Sequence, residues 1–412
     1  MEVYVDQSTT EQQNVSFTTT SFDVNIQDHP VGSRLPHETE TASVQLVSDD
    51  FKSVVARPNF PSFYEMERQR LPQISLHVAC FRDATIVTFT WPHIMMDVMG
   101  GQALLAGWSA VLAGKEDEVP RVMGARDDIL RHPEITGDEG VWEEPVLELH
   151  RLSAFGLICF SLRFLWDKLW ETSRERRVIC LPKAALSAFR AHAERELSAG
   201  EQEKQFVSES DVVIAWIARA ISATEPKPRN VTVVNLLNAR FRVPLLLKST
   251  GVFLQNMVLA TFTFLSAQAA NNSIGSIALD HRRTVAEQGT GPQSLGLLRK
   301  IFTVQDAGKT PRTLYGPSNA VPLVINNVLK TNLIKTADFS GAVVSQGEAT
   351  ETRKNPMGTM VNYYNESLHN EYDGYNIFVM LGKDHADNSW LMGTLLPRTW
   401  AKIEAELRTL PI

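Results

Sequence analysis

The stretch 84-ATIVTFTWPHIMMDVMGGQALL-105 predicts a strand, a tight loop and a helix, in that order. Residues alternate in polarity up to Trp91, and both faces keep apolar side chains, which predicts an internal strand covered on both sides. Pro92 has no backbone N–H and suits the end of a strand. His93 is then the first side chain beyond the sheet edge, where open sheets place their chemistry.

A neutral imidazole titrates near working pH, so His93 can take a proton from an attacking hydroxyl or amine and return it to a leaving group. An ionised carboxylate is a weak base at neutral pH, so Asp97 better suits an ion pair with a distant cation. The spacing alone is a weak signal, because His369 and Asp373 repeat it in a polar stretch typical of a turn. A core histidine bonded to a backbone carbonyl is the alternative for His93.

The chain has 412 residues and a formal net charge of -7, which predicts a soluble globular protein of two domains. The acidic balance argues against nucleic acid as a partner. Cys80, Cys159 and Cys180 lack CxxC spacing, which predicts reduced thiols and neither a disulfide framework nor a zinc site. Residues 1–14 show no signal or presequence pattern, so we expect a cytoplasmic protein.

The first half of the chain contains one clear hairpin. Residues 74–80 and 84–91, joined by Phe81-Arg82-Asp83, predict two antiparallel strands. The helix after the His93 loop is expected to end at Gly114. Residues 116–150 are polar and contain proline, as is typical of a surface loop or a connection between domains.

The most hydrophobic window is 152-LSAFGLICFSLRFLWDKLW-170. Arg163, Asp167 and Lys168 in its second half argue against a transmembrane span. Two interpretations remain: an amphipathic helix on a bilayer surface, and a linker helix packed against both domains. We favour the packed linker, because a stretch rich in aromatic residues is usually covered by other parts of the protein in soluble enzymes.

From residue 177 the pattern mixes strands and helices without strict alternation. Strands are predicted at 231–237, 251–264, 321–328, 338–344, 377–381 and 390–395, and helices at 183–196, 211–221, 271–288 and 399–408. Ser208 and Asp211 predict a capping box, and 289-GTGPQSLG-296 predicts a loop. This order favours an α/β sandwich with mixed sheets, and no GxGxxG or GxxxxGK[ST] phosphate loop is present.

Four short motifs follow one another along the chain: His93-Ile94-Met95-Met96-Asp97, Asn238-Ala239-Arg240-Phe241-Arg242, Phe253-Leu254-Gln255-Asn256 and Asp338-Phe339-Ser340-Gly341-Ala342. They resemble the HxxxDG, N-x-R-x-R, YFGN and DFGWG motifs of the BAHD acyltransferases, specifically the fungal branch that includes trichothecene acetyltransferase-like proteins. The resemblance covers nearly the whole chain, and His369 matches none of these motifs.

The resemblance implies a two-domain, chloramphenicol-acetyltransferase-like α/β sandwich with mixed β-sheets and an active-site channel at the domain interface. Residues 1–150 would form the N-terminal acyltransferase domain, residues 151–176 a linker helix and residues 177–412 the C-terminal acyltransferase domain. The implied activity is transfer from acyl-CoA, most simply acetyl-CoA, to a hydroxyl or amine of a specialised metabolite. Acyl-CoA is a co-substrate, and no metal or permanently bound cofactor is implied. Candidate cations for its phosphates are Arg299 with Lys300, or Lys330 with Lys335.

The resemblance also assigns roles around the first motif. His93 is the general base that deprotonates the acceptor, and no covalent enzyme intermediate is needed. Asp97 has a structural role and pairs with Arg240 or Arg242. The alternative interpretation is that Arg240 and Arg242 are solvated residues at the end of a strand and form no buried ion pair.

Four further residues enter through the later motifs. Asn256 is a supporting residue, and Asn327 faces the active site, where its amide can donate to a developing oxyanion. A plain strand asparagine is the alternative for Asn327. Asp338 and Gly341 are implied on the CoA side, although their segment departs from the DFGWG pattern.

Two departures leave other functions open. Val98 stands where the family motif has glycine, and we expect a first domain shortened at its start, without the opening strand and helix of the family. We therefore keep two alternatives: a catalytically inactive protein that binds a metabolite or a partner, and a carrier-protein-dependent condensation-type domain, which favours histidine where Pro92 stands. The expected partners are acyl-CoA and a small acceptor. We expect a monomer, with peripheral membrane contact through residues 152–170 as an alternative.

Overall fold

The computed structural model describes residues 14–125, 127–136, 142–171, 173–198, 205–344, 355–368 and 375–409. In chain order the strands are β1 (Val15–Ser21), β2 (Ser43–Leu46), β3 (Ile74–Cys80), β4 (Thr85–Thr90), β5 (Val122–Met123), β6 (Glu175–Leu181), β7 (Val231–Asn238), β8 (Val252–Phe253), β9 (Val258–Leu265), β10 (Val321–Asn327), β11 (Asn376–Lys383) and β12 (Ser389–Leu395).

The helices range from single turns to more than four turns. They are α1 (Lys52–Val55), α2 (Phe63–Gln69), α3 (Val98–Leu112), α4 (Pro133–Thr136), α5 (Ala154–Trp170), α6 (Lys183–Ser198), α7 (Glu209–Thr224), α8 (Pro244–Leu247), α9 (Ile274–Gln288), α10 (Gly291–Asp306), α11 (Leu333–Thr336) and α12 (Pro397–Arg408). The predicted capping box at the start of α7 is confirmed, because Ser208 and Asp211 each accept a backbone hydrogen bond from the other.

A three-stranded sheet carries the hairpin of the first half, in the order β1-β3-β4. The predicted antiparallel pairing of β3 with β4 is confirmed, with Ser75 opposite Thr90. The prediction that β4 is internal was wrong: β4 pairs with β3 alone among the described strands. Its apolar residues Val87 and Phe89 line a large cavity. The alternation of apolar and polar residues in a sequence does not distinguish a strand face that borders a cavity from one that packs against another layer of protein.

A seven-stranded sheet has the order β2-β6-β12-β11-β10-β7-β9. β10 runs parallel to β7 and β11, and the other neighbouring pairs are antiparallel. The predicted α/β class with mixed sheets is therefore confirmed. β2 comes from the first half of the chain and pairs with β6, with Ser43 opposite Cys180. The division into domains at residues 150 and 177 stays a prediction.

The central strands β11 and β12 of this sheet are buried on both faces, as strands covered on both sides are. On one face Val231 and Val233 pack into the main core with α6, α7, α9 and α12. On the other face Val234 packs with Phe262 and Tyr315 in a smaller cluster. α5 lies over this second face, because Phe160 of α5 and Val234 line one small cavity.

Two local predictions in the second half were wrong. Residues 291–296 form the first turns of helix α10 instead of a loop: the side chain of the N-cap Thr290 accepts from Gln293 N, and Pro292 lies in the first turn, where proline is favoured. Residues 338–344 do not form a strand. They hold a single bridge between Asp338 and Thr359 and a 3-10 turn at Ser340–Ala342.

The buried histidine of α9 links stability to pH. His281 is 2% exposed, with its Nδ1 2.9 Å from the Thr263 hydroxyl. Burial lowers the pKa of His281 from 6.5 to about 4, which the nearby Asp211 carboxylate only partly offsets. The unfolded chain therefore binds a proton at this residue before the folded chain does. We expect the free energy of unfolding to fall by about 3 kcal/mol from this group as the pH drops from 6.5 to 4.

The measurement is urea unfolding across this pH range for the wild type and for His281→Gln. The variant should lose part of the pH slope, whereas His192→Gln, an exposed histidine of α6, should keep the wild-type slope. Equal slopes in all three proteins would contradict this account of His281.

Candidate active site

A cavity of about 3110 Å³ lies between the three-stranded and the seven-stranded sheet. β4 and the loop that follows it line one part of its wall, and β7, β10 and β11 line another. His93, Asn235 and Asn327 all reach this wall. The cavity has the location that the sequence analysis expected for an active-site channel, and it is large enough to hold two substrates side by side.

His93 lies in the tight turn directly after β4. The turn is closed by Met95 N, which donates to Pro92 O at 2.9 Å, and Asn256 Nδ2 donates to His93 O at 2.7 Å. The His93 side chain is exposed to the cavity, and its ring makes no hydrogen bond to any residue that the structure describes. The imidazole is therefore accessible to a ligand, unlike the ring of a core histidine.

The second half of the turn is held by Trp91. Its indole Nε1 donates to Met96 O at 2.9 Å, and Met96 itself is 2% exposed. The Trp91 ring lies against the backbone of α3, where a Cβ added to Gly101 would be 3.1 Å from the ring. Both ends of the His93 loop are thus fixed to buried elements.

Asp97 caps the N-terminus of α3 at the wall of the cavity. Its Oδ1 accepts from Gly100 N at 3.0 Å, and its Oδ2 accepts from Met257 N at 3.0 Å and from Arg240 Nη1 at 2.8 Å. The residue is 4% exposed. Three donors occupy this buried carboxylate, so its role is to hold the His93 loop and α3 in place.

Arg240 supplies the cation of this pair, and Arg242 does not. The Arg240 guanidinium also donates to Phe253 O at 2.8 Å and to Gln255 O at 2.7 Å, so it joins α3 to the segment between β8 and β9. Its side chain is 11% exposed. Arg242 lines the cavity, and its guanidinium makes no ion pair with any residue that the structure describes.

Gly100 permits the close approach of α3 to the segment after β8. A Cβ added at Gly100 would lie 2.1 Å from Leu254 O, which is a backbone atom and cannot move aside cheaply. We expect Gly100→Ala to lower both the free energy of unfolding and the turnover, because it pushes α3 and the His93 loop away from Arg240.

Gly107→Ala, in the same helix as Gly100, is the matched control, since its Cβ would meet only the Val119 side chain, at 3.4 Å. We expect this control to keep wild-type turnover and to be neutral or slightly stabilising. Thermal unfolding and kcat of both variants test the prediction. Equal losses in the two variants would contradict a specific role for the close approach at Gly100.

Asn327 ends β10 and lines the cavity. Its Nδ2 donates to Ser210 Oγ at 3.1 Å, and its Oδ1 accepts from Leu329 N at 3.2 Å. One N–H of the amide stays available to a ligand after these bonds. Ser210, at the start of α7, was not identified from the sequence, because serine in the first turn of a helix is an ordinary capping pattern.

Asp338 and Gly341 lie beside α3, outside the residues that line the cavity. Asp338 N donates to Ser109 Oγ at 3.0 Å, and a Cβ at Gly341 would be 2.2 Å from Leu112 O. Hydrogen bonds from the Ser340 side chain and backbone lower the pKa of Asp338. These contacts join the segment to the C-terminal end of α3, and a role in CoA binding stays a prediction.

Cations near the cavity can be sorted by their contacts. Lys330 lines the cavity with its Nζ 4.6 Å from the centre of the Phe241 ring, and Arg242 lines the same cavity. Lys335 is 3.5 Å from Asp387, and Lys300 is 2.7 Å from Glu144. Of the two cation pairs suggested by the sequence, only Lys330 reaches the cavity wall.

His369 lies outside the described residues, so its interpretation as a solvated turn residue stays a prediction. In the part of the chain that the structure describes, no group of three or more His, Cys, Asp or Glu side chains is arranged to hold a metal ion.

Comparison with known proteins gives a consistent family. The O-acetyltransferase PaAT-2 of Phomopsis amygdali is 32% identical over 432 aligned residues, covering 100% of this chain and 86% of that protein. The structure of TRI101 from F. graminearum, solved with coenzyme A and deoxynivalenol, matches with a TM-score of 0.58 at 14% identity, over 96% of this chain and 81% of that one. The fold is therefore the two-domain chloramphenicol-acetyltransferase type that the sequence predicted.

One similar protein carries a different name. The transcriptional regulator calD of Penicillium decumbens is 30% identical, over 97% of this chain and 81% of that protein. No family model matches the chain.

Proposed function

The chain belongs to the fungal acetyltransferases of the BAHD family, and from this premise we propose that it transfers the acetyl group of acetyl-CoA to a hydroxyl of a specialised metabolite. The observation that carries the proposal is the position of His93. Its imidazole faces a cavity large enough for both substrates, while Asp97 is buried and fully engaged by Arg240, Met257 and Gly100. The site thus offers an exposed imidazole at the cavity wall whose ring makes no hydrogen bond to a described residue.

His93 acts as the general base. The imidazole takes the proton of the acceptor hydroxyl, and the oxygen attacks the thioester carbonyl of acetyl-CoA. The tetrahedral intermediate collapses, the C–S bond breaks, and the CoA thiolate takes the proton back from the imidazolium. The free N–H of Asn327 is our candidate donor to the oxyanion of this intermediate.

Arg242 and Lys330 are our candidates for contact with the phosphates of CoA. Both line the cavity, and the Lys330 ammonium is 4.6 Å from the centre of the Phe241 ring. Two cations on the wall of one cavity suit a group that carries several negative charges. The acceptor then approaches His93 from the remaining part of the cavity.

We place the enzyme in the cytoplasm as a monomer.

A catalytically inactive relative is the second candidate, and the name of calD is the observation that favours it. The support of the His93 loop argues for activity: Asn256, Trp91 and the Asp97–Arg240 pair all hold the turn in place. The condensation-type alternative is weaker, because a proline stands directly before His93.

The experiment is release of free CoA thiol from acetyl-CoA by the wild-type protein, with a panel of hydroxylated terpenoids and alkaloids and with the matching amines. We expect release with at least one hydroxylated acceptor and a slower rate, or none, with the corresponding amine. Calorimetric titration with CoA separates the outcomes. CoA binding without release on any acceptor would favour an inactive binding protein, and the absence of CoA binding would overturn the proposal.

A further inference from the structure

The outer face of α5 is a continuous apolar stripe that no described residue covers. Large side chains recur every three or four residues along it and are between 53% and 75% exposed: Phe155, Ile158, Leu162, Leu165, Trp166, Leu169 and Trp170. At 3.6 residues per turn these positions fall on one side of the helix. Together they expose on the order of 700 Å² of apolar surface, more than the largest patch on an ordinary monomeric protein.

The helix cannot turn this stripe inward, because its inner face is fixed to the protein. Phe164 stacks on Tyr375 with ring centres 4.7 Å apart, and Asp167 Oδ2 accepts from Arg229 Nη1 at 2.9 Å. At the N-terminus the Ser153 hydroxyl accepts from Gly156 N at 3.1 Å. The prediction of a packed linker helix thus applies to one face of α5, and the opposite face needs another partner.

The two cations of α5 lie on opposite flanks of the stripe, whereas Asp167 lies on the inner face. Arg163 and Lys168 are both exposed and project on opposite edges at 100° per residue, although Arg163 is also 3.0 Å from Asp167. The two tryptophans stand at the C-terminal end, with ring centres 5.4 Å apart. Apolar residues outward, cations at the edges and tryptophan at one end are the features of a helix that lies in a membrane interface.

We propose that α5 docks the protein on the surface of an anionic lipid bilayer, with the stripe in the headgroup region and the helix axis parallel to the membrane. The edge cations favour anionic lipids, whereas a protein partner would have to bring a matching apolar groove. Among the described helices, none is long and apolar enough to cross a bilayer, so the contact is peripheral. This inference does not depend on the proposed transfer reaction.

The test is cosedimentation of the full chain with vesicles of phosphatidylcholine alone and of phosphatidylcholine with phosphatidylserine. We expect binding that is stronger with phosphatidylserine. The double variant Leu162→Gln/Trp166→Gln should bind at least about tenfold more weakly to both, because two anchoring side chains are lost. Lys168→Glu should reduce only the gain from phosphatidylserine. All these positions are exposed, so an unchanged circular dichroism melt is expected for each variant.

Leu247→Gln is the matched control, since Leu247 is 59% exposed in α8 and Leu162 is 64% exposed in α5. This control should bind vesicles like the wild type. Three results would overturn the proposal: no vesicle binding by the wild type, an equal loss in Leu247→Gln, or a dimer in sedimentation velocity without lipid that Leu162→Gln/Trp166→Gln dissociates. The last result would assign the stripe to a second copy of the chain.

Discussion

His93→Ala is expected to lower kcat/KM for acetyl transfer by about 10²–10⁴-fold, the usual contribution of a positioned general base. The substitution removes the accessible imidazole at the cavity wall and no contact that holds the loop, because Asn256 bonds the backbone oxygen of residue 93 and not its ring. The fold and the affinity for CoA should therefore stay near the wild-type values. Steady-state kinetics, calorimetry with CoA and a thermal melt measure the three quantities.

His37→Ala is the control for this variant. His37 also lines the cavity, and its ring Nδ1 is 3.1 Å from Leu35 O, so it serves as a cavity histidine with a local structural contact. We expect His37→Ala to keep turnover within a few fold of the wild type. Equal losses in the two variants would argue that any change to the cavity wall matters, and that His93 has no special chemical role.

Arg240→Met is expected to lower the free energy of unfolding by about 3–5 kcal/mol, the cost of leaving one partner of a buried ion pair without the other. Asp97 would stay 4% exposed with its main cationic partner removed, and two backbone carbonyls, of Phe253 and Gln255, would lose their donor. The His93 loop adjoins this cluster, so turnover should fall as well. Urea unfolding followed by tryptophan fluorescence measures the stability change.

Arg242→Met is the matched control, because Arg242 is the nearby arginine that forms no ion pair with a described residue. We expect its stability to stay close to that of the wild type, with any change appearing in the KM for acetyl-CoA. The double variant Asp97→Asn/Arg240→Met should lose less stability than the sum of the two single variants. Additive losses, or equal losses in Arg240→Met and Arg242→Met, would contradict a coupled ion pair.

Local sequence patterns predicted the elements that depend on neighbouring residues. The hairpin of β3 and β4, the turn at Pro92 and the capping box of α7 are each specified within a few residues of sequence. The motif resemblance added one long-range statement, the pairing of Asp97 with one of two arginines. The structure distinguishes them, because Arg240 lies in the 3-10 turn after β7 and points at α3.

The features that the sequence did not predict depend on distant parts of the chain. β2 joins the seven-stranded sheet through β6, more than a hundred residues later, and nothing within Ser43–Leu46 indicates that partner. The apolar pattern of β4 does not show that its neighbour is a cavity. The pattern of α5 predicts an amphipathic helix but cannot say which of its two apolar faces the fold covers.

The most direct test of the central claim is mass spectrometry of a quenched reaction that contains isotope-labelled acetyl-CoA and an acceptor from the panel. Direct transfer with His93 as base predicts a labelled acetate ester of the acceptor hydroxyl, no label on the protein, and almost no ester with His93→Ala. Label bound covalently to the protein, or wild-type amounts of ester from His93→Ala, would contradict the account.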